Sequence, residues 1–118
     1  MEGSGTYAYT DGDVYVGEFK NGKMEGNGEL TYSTGNIYKG EFVNDKIEGR
    51  GIFNYANGAK YEGECKAGEM NGIGTLVYAN GNKYEGEFKH GREDGTGTLI
   101  LINGTKKQGQ FLNGEFQG

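Results

Sequence analysis

The sequence predicts an all-β fold: an elongated, single-layer antiparallel meander of tandem 23-residue β-hairpin repeats, twisted and curled around a groove of aromatic rings and glycines. Three observations predict it. Gly12, Gly35, Gly58, Gly81 and Gly104 recur at a step of 23 residues, and a fixed period of about 20–50 residues marks a repeat array. Within each period apolar and polar residues alternate, which is the signature of a half-buried strand. The alternating runs are separated by turn signals such as Asn21-Gly22, whose residues tolerate positive φ.

The first strand of a repeat is read from Tyr15, Gly17 and Phe19, which alternate with Val16, Glu18 and Lys20. Asn21-Gly22 then makes a two-residue turn. Beyond it Met24, Gly26, Gly28, Leu30 and Tyr32 alternate with Glu25, Asn27, Glu29 and Thr31. The apolar face thus uses odd numbers before the turn and even numbers after it. From Tyr32 to Tyr38 parity is kept, so the connection between repeats has an odd number of residues. Thr34-Gly35-Asn36 suits it with Gly in the left-handed region, and five residues also fit. A strict two-residue hairpin register sets Phe19 opposite Met24, Gly17 opposite Gly26 and Tyr15 opposite Gly28. Each tyrosine ring then covers a residue without a side chain. Roughly ten strands at about 4.8 Å spacing give a strip on the order of 45 to 50 Å long.

The whole chain, 1–118, reads as one array that starts and ends within a hairpin, as expected of a piece cut from a longer protein. The 25 glycines with no proline and 13% aromatics separate it from a flexible linker, which is poor in aromatics. No stretch has the apolar length of a membrane span. The N-terminus lacks a basic-then-apolar leader, and the single cysteine suits a reducing compartment, so a cytoplasmic location is expected, at the cytoskeleton or the inner face of a membrane.

The phrase Tyr-x-Gly-Glu-Phe, then Asn-Gly, then Gly-x-Gly-Thr-Leu resembles the MORN (membrane occupation and recognition nexus) repeat. YVGEFKNGKMEGNGELTY at 15–32 and YEGEFKHGREDGTGTLIL at 84–101 carry the likeness best. The fifth copy departs from it, with Lys107 for Tyr and Gln110 for Glu. The resemblance implies a non-catalytic module. It implies two alternative roles: docking of a protein partner in the groove, a second copy included, or binding of phospholipid headgroups.

The residues favour the first. Anionic membrane is disfavoured by the net charge of −5, since such binding gains about 1 kcal/mol per Lys or Arg near the bilayer. Lys20, Lys39, Lys66 and Lys89 are interleaved with Glu18, Glu41, Glu64, Glu87, Glu62 and Glu85, which reads as a solvated mixed-charge face. The same deficit argues against nucleic acid. No enzyme, cofactor or metal site is expected. His90 sits in a turn, and Cys65 takes a place in the column Phe19, Phe42, Phe88 and Phe111. The two are separated by about 10 Å, or two strand spacings, too far for a dyad. One His and one Cys cannot form a structural zinc site. Asn103-Gly104-Thr105 matches a glycosylation sequon but falls in an inter-repeat loop.

The expected binding groove is walled by Tyr15, Phe19, Tyr38, Phe42, Tyr61, Tyr84 and Phe88, with tyrosine hydroxyls offered to a partner's backbone. Ile100 and Ile102 point to the opposite face, which is polar elsewhere, and mark a possible second contact patch.

Overall fold

The computed structural model describes residues 3–118. Its strands are β1 (Gly3–Ala8), β2 (Val14–Lys20), β3 (Lys23–Thr31), β4 (Ile37–Val43), β5 (Lys46–Asn54), β6 (Lys60–Lys66), β7 (Glu69–Val77), β8 (Lys83–Lys89), β9 (Arg92–Ile100), β10 (Lys106–Leu112) and β11 (Glu115–Phe116). They form one open sheet in sequence order, each strand antiparallel to the next. Eleven strands stack into a body of 49 × 22 × 19 Å, so the expected length holds.

The hairpin turn is the one the sequence signals. Lys20 pairs with Lys23, and Asn21 and Gly22 both have positive φ, 53° and 77°. The register beyond it differs from the strict hairpin. Phe19 does face Met24, but Gly17 pairs with Gly28 and Tyr15 with Leu30. Three residues, Glu25, Gly26 and Asn27, therefore oppose Glu18 alone. This bulge inserts two residues into the second strand, which preserves parity and so leaves no trace in the alternation. It recurs in the next three hairpins, between Gly40 and Phe42, Gly63 and Cys65, and Gly86 and Phe88. Gly26, Gly49, Gly72 and Gly95 sit in it with φ of 74–104°, a region where an L side chain is strained.

The register correction lines up one glycine from each of β1 to β10. Gly5, Gly17, Gly28, Gly40, Gly51, Gly63, Gly74, Gly86, Gly97 and Gly109 pair in succession across the sheet. Strands close up along this line: a Cβ on Gly17 would lie 2.5 Å from the Cα of Gly28.

Repeats are joined by five-residue loops rather than by Thr34-Gly35-Asn36. Thr31 pairs with Ile37, and Tyr32 N–H donates to Asn36 C=O at 2.8 Å while Gly35 N–H donates to Tyr32 C=O at 2.9 Å. Side chains tie successive loops together. Asp13 accepts from Ser33 N–H, Asn36 from Ala56 N–H, and Asn82 from Ile102 N–H. Ala59 occupies the same column with no side-chain acceptor to offer Ala79, the next residue of the Ser33 and Ala56 column.

All buried apolar side chains lie on one face. Tyr15, Tyr38, Tyr61 and Tyr84 have no solvent exposure, which a flat single layer could not achieve. The sheet solves this by bending into a trough. Tyr55, just past β5 on the loop edge, places its hydroxyl 3.7 Å from the sulfur of Met70, on the turn edge. One repeat on, Tyr78 donates its hydroxyl to the Glu93 carboxylate. A flat seven-residue strand is about 23 Å long, so such contacts between opposite edges require strongly curved strands.

Candidate functional site

The trough is built by one rule repeated four times. The Tyr38 ring lies on the backbone of Gly51, where a Cβ would come 2.5 Å from its Cζ. Its hydroxyl turns back to donate to the carbonyl of Glu41 at 3.0 Å. Tyr15, Tyr61 and Tyr84 do the same with Glu18, Glu64 and Glu87. Phe42 and Phe88 then each meet the tyrosines of two repeats edge-on: Phe42 lies 5.0 Å from Tyr15 and 5.2 Å from Tyr38 at near right angles, and Phe88 4.9 Å from Tyr61 and 5.1 Å from Tyr84. Edge-to-face geometry sets the positive ring edge against a negative face.

The expected groove residues Tyr15, Phe19, Tyr38, Phe42, Tyr61, Tyr84 and Phe88 are thus brought together, but as a buried floor rather than as walls. The tyrosine hydroxyls among them are engaged by the chain's own carbonyls and are not on offer to a partner. Burial raises the pKa values of Tyr38 and Tyr61 well above the ordinary 10.0, with the neighbouring Cys65 adding to it. Cys65 leaves a gap in the phenylalanine column. Phe53, standing where Leu30 and Leu76 stand, fills it with its ring 4.8 Å from Tyr38 and 6.3 Å from Tyr61. Burial pushes the Cys65 thiol up to about 11.

The accessible side of the trough belongs to residues the sequence reading passed over or used only as strand ends. Tyr9, Tyr32, Tyr55 and Tyr78 lie half-buried along the loop edge, packed on the core. Their own step of 23 was the available signal. Burial pushes the Tyr55 hydroxyl up to about 12. Opposite them runs the column Met24, Ile47, Met70, Glu93. A depression of about 210 Å³ opens between the two edges, with Leu30, Phe42 and Ile47 below, Tyr32 on one side, and Asp45 and Gly68 on the other. Glu93 replaces an apolar residue of that column, and burial raises its carboxyl above the ordinary range.

A second function missed from the sequence belongs to the recurring glutamates. Glu18, Glu41, Glu64 and Glu87 are not a merely solvated face. Their carboxylates accept the N–H groups of Asn27, Arg50, Ile73 and Thr96 at 2.6–2.7 Å. Those are the amides freed by the bulge. A Cβ on Gly26 would lie 2.6 Å from Glu18 Oε2, so the same glycine also makes room for the clamp.

Elsewhere the expected sites stay apart. Ile102 is 73% exposed in a loop, whereas Ile100 is half-buried on the outer face between Lys83 and Lys106. His90 is an exposed turn residue at φ 51°. Among the described residues no three His, Cys, Asp or Glu side chains are grouped to hold a metal ion, and no helix is long and apolar enough to cross a membrane.

An open, single-layer repeat sheet with an aromatic floor defines the class: a tandem β-hairpin array. The chain belongs to the MORN repeat family, whose repeat matches residues 1–14, 15–37, 38–60, 61–83 and 84–106. No curated protein matches it. Among solved structures it is similar to the SAS-4 (dCPAP) TCP domain of Drosophila melanogaster, solved in complex with a proline-rich motif of Ana2 (dSTIL). The two are 15% identical, over 92% of this chain and 84% of that one, with a TM-score of 0.26. At that score the likeness carries no argument, and the fold rests on the strand pairing itself.

Proposed function

We propose that the protein is a non-catalytic interaction module that docks an extended protein segment along its trough. The observation that carries this reading is the row of half-buried tyrosines Tyr9, Tyr32, Tyr55 and Tyr78 along the loop edge over an aromatic floor, with Tyr32 bordering an open depression. Tyrosine supplies large, stiff contact area with a polar tip, which suits recognition. In this proposal the buried set Tyr15, Phe19, Tyr38, Phe42, Tyr61, Tyr84 and Phe88 holds the floor rigid. Contact falls to the loop-edge tyrosines. A cytoplasmic setting belongs to the same proposal.

The test is selection of displayed random twelve-residue peptides on the protein, followed by binding to Tyr32→Ala and Tyr55→Ala variants whose circular dichroism is unchanged. Selected peptides that lose affinity for both variants support the reading. Peptides indifferent to both sink it. Light scattering on the free protein reports whether a second copy occupies the trough instead. Phosphoinositide binding is the rival, and co-sedimentation with liposomes across a salt series separates it, because headgroup binding falls steeply with salt.

A further inference from the structure

The glycine line has an outer side. Alternation turns Tyr15 and Phe19 into the trough, so Val16 and Glu18 project from the opposite face, with only the backbone of Gly17 between them. Cross-strand pairing repeats this arrangement from Gly17 to Gly97, over about 34 Å at about 4.8 Å per strand. The result is a groove floored by glycine backbone and margined by two rows of side chains. Two depressions of it, of about 440 and 300 Å³, meet at Lys39 and Gly40 and together reach from Gly17 to Gly63. No tyrosine of the trough lines either.

Charge is concentrated on the margins. Glu29, Glu62 and Glu85 stand in one row, and Glu18, Glu41, Glu64 and Glu87 in the other, all exposed. Only Lys39 and Arg50 interrupt them. The remaining acidic and basic residues of the chain are equal in number, so its whole net charge of −5 lies along this groove. The one ion pair among the described residues is Lys83–Glu85, so Glu29 and Glu62 hold no cation of the chain's own. The glutamates of the second row each accept one amide freed by the bulge, whereas a carboxylate has about four acceptor positions.

We propose that this outer groove docks a Lys/Arg-rich segment of another protein, with side-chain stems on the glycine line and cationic heads on the flanking glutamates. The floor suits what the margins attract. Lys and Arg bury their methylene stems along apolar surface while the head stays with an anion, and the glycine backbone makes its ladder bonds within the sheet, leaving Cα groups to receive them. A second copy of this chain, an anionic membrane and nucleic acid all bring the same sign of charge as the margins and are repelled. The surface lies on the opposite face from the trough and does not depend on docking there.

The experiment is fluorescence anisotropy at low salt with a labelled peptide, Lys-Ser-Ala repeated four times. A control peptide has diaminobutyrate for every lysine, which keeps the charge on a stem two methylenes shorter. The lysine probe binds, and the control is at least about fivefold weaker. Glu62→Gln with Glu85→Gln, neither of which holds an amide, costs the lysine probe at least about fivefold with circular dichroism unchanged. Glu69→Gln with Glu115→Gln removes the same charge from the turn edge and costs less than about twofold. Equal binding of the two peptides overturns the glycine floor. Equal losses in the two double variants overturn the groove as the place of binding, and absence of binding by the lysine probe overturns the proposal whole. Binding that Tyr32→Ala abolishes would put the probe in the trough, so that the docking reading above stands and this one falls.

Discussion

The aromatic ring of Tyr38 and the α-carbon of Gly51 occupy the space of one side chain between them: a Cβ on Gly51 would lie 2.5 Å from the ring Cζ. The ring cannot retreat, because its hydroxyl is held by the Glu41 carbonyl and its edges by Phe42 and Phe53. Gly51→Ala is therefore an overpacking substitution at the centre of the array, and the expected loss is about 1–3 kcal/mol or more. Urea denaturation measures it. A loss below about 0.5 kcal/mol would mean that the ring does not rest on the backbone.

Much of this was legible in the sequence. Period, strand parity and the Asn21-Gly22 turn follow from spacing alone, because a two-residue alternation has no other regular solution. The pairing of tyrosine with glycine was legible too, though for an incomplete reason. Tyr15 was expected to reach Gly28 from directly opposite. It reaches it from across Leu30, because the bulge displaces the register by two. A two-residue bulge is silent in a period-two pattern, so no count of apolar positions could reveal it. The signal that remained was chemical: a Glu at 18, 41, 64 and 87, each with a Gly eight residues on. The depth of the trough was hidden for a different reason. Curvature is set by contacts such as Tyr55 with Met70, fifteen residues apart, and alternation along one strand carries no information about them.

The bulge clamp separates acceptor chemistry from charge. Glu64 Oε1 receives Ile73 N–H at 2.6 Å. Glu64→Ala leaves that amide without its partner, at an expected cost of about 1–3 kcal/mol. Glu64→Gln keeps a carbonyl oxygen at the same reach and is expected to cost less than half as much. Thermal unfolding of the two variants decides it. Equal losses would show that the carboxylate acts through its charge, and no loss in either would remove it from the clamp.

Alkali should open the trough. Cys65 and Tyr55 are pushed up to about 11 and about 12, from ordinary values of 9.0 and 10.0, chiefly by burial. Tyr38 and Tyr61 are raised further by the same cause. In each group the fold favours the protonated form. Its contribution is therefore complete below the ordinary value and is lost as pH climbs through the raised one. Stability is expected to be flat up to about pH 9 and to fall steadily above it. Absorbance of tyrosinate during a pH titration, read beside circular dichroism, gives the check. Buried tyrosines should ionise together with loss of the β signal. Ionisation of all nine tyrosines near pH 10, with the sheet intact, would contradict their burial.

Glu93 is the residue at which burial and charge pull apart. Desolvation raises its carboxyl above the ordinary 4.5, so it helps the fold only when protonated. That contribution is present below about pH 4.5 and is lost as pH rises through the raised value. At neutral pH the free protein carries a charge that burial disfavours in a column where its counterparts are Met24, Ile47 and Met70. Glu93→Met is therefore expected to raise the urea midpoint at pH 7, by an amount on the order of 1 kcal/mol. The gain should shrink as the pH is lowered toward 4. A midpoint that falls at pH 7 would instead make the bond from Tyr78 to Glu93 worth more than the desolvation it requires.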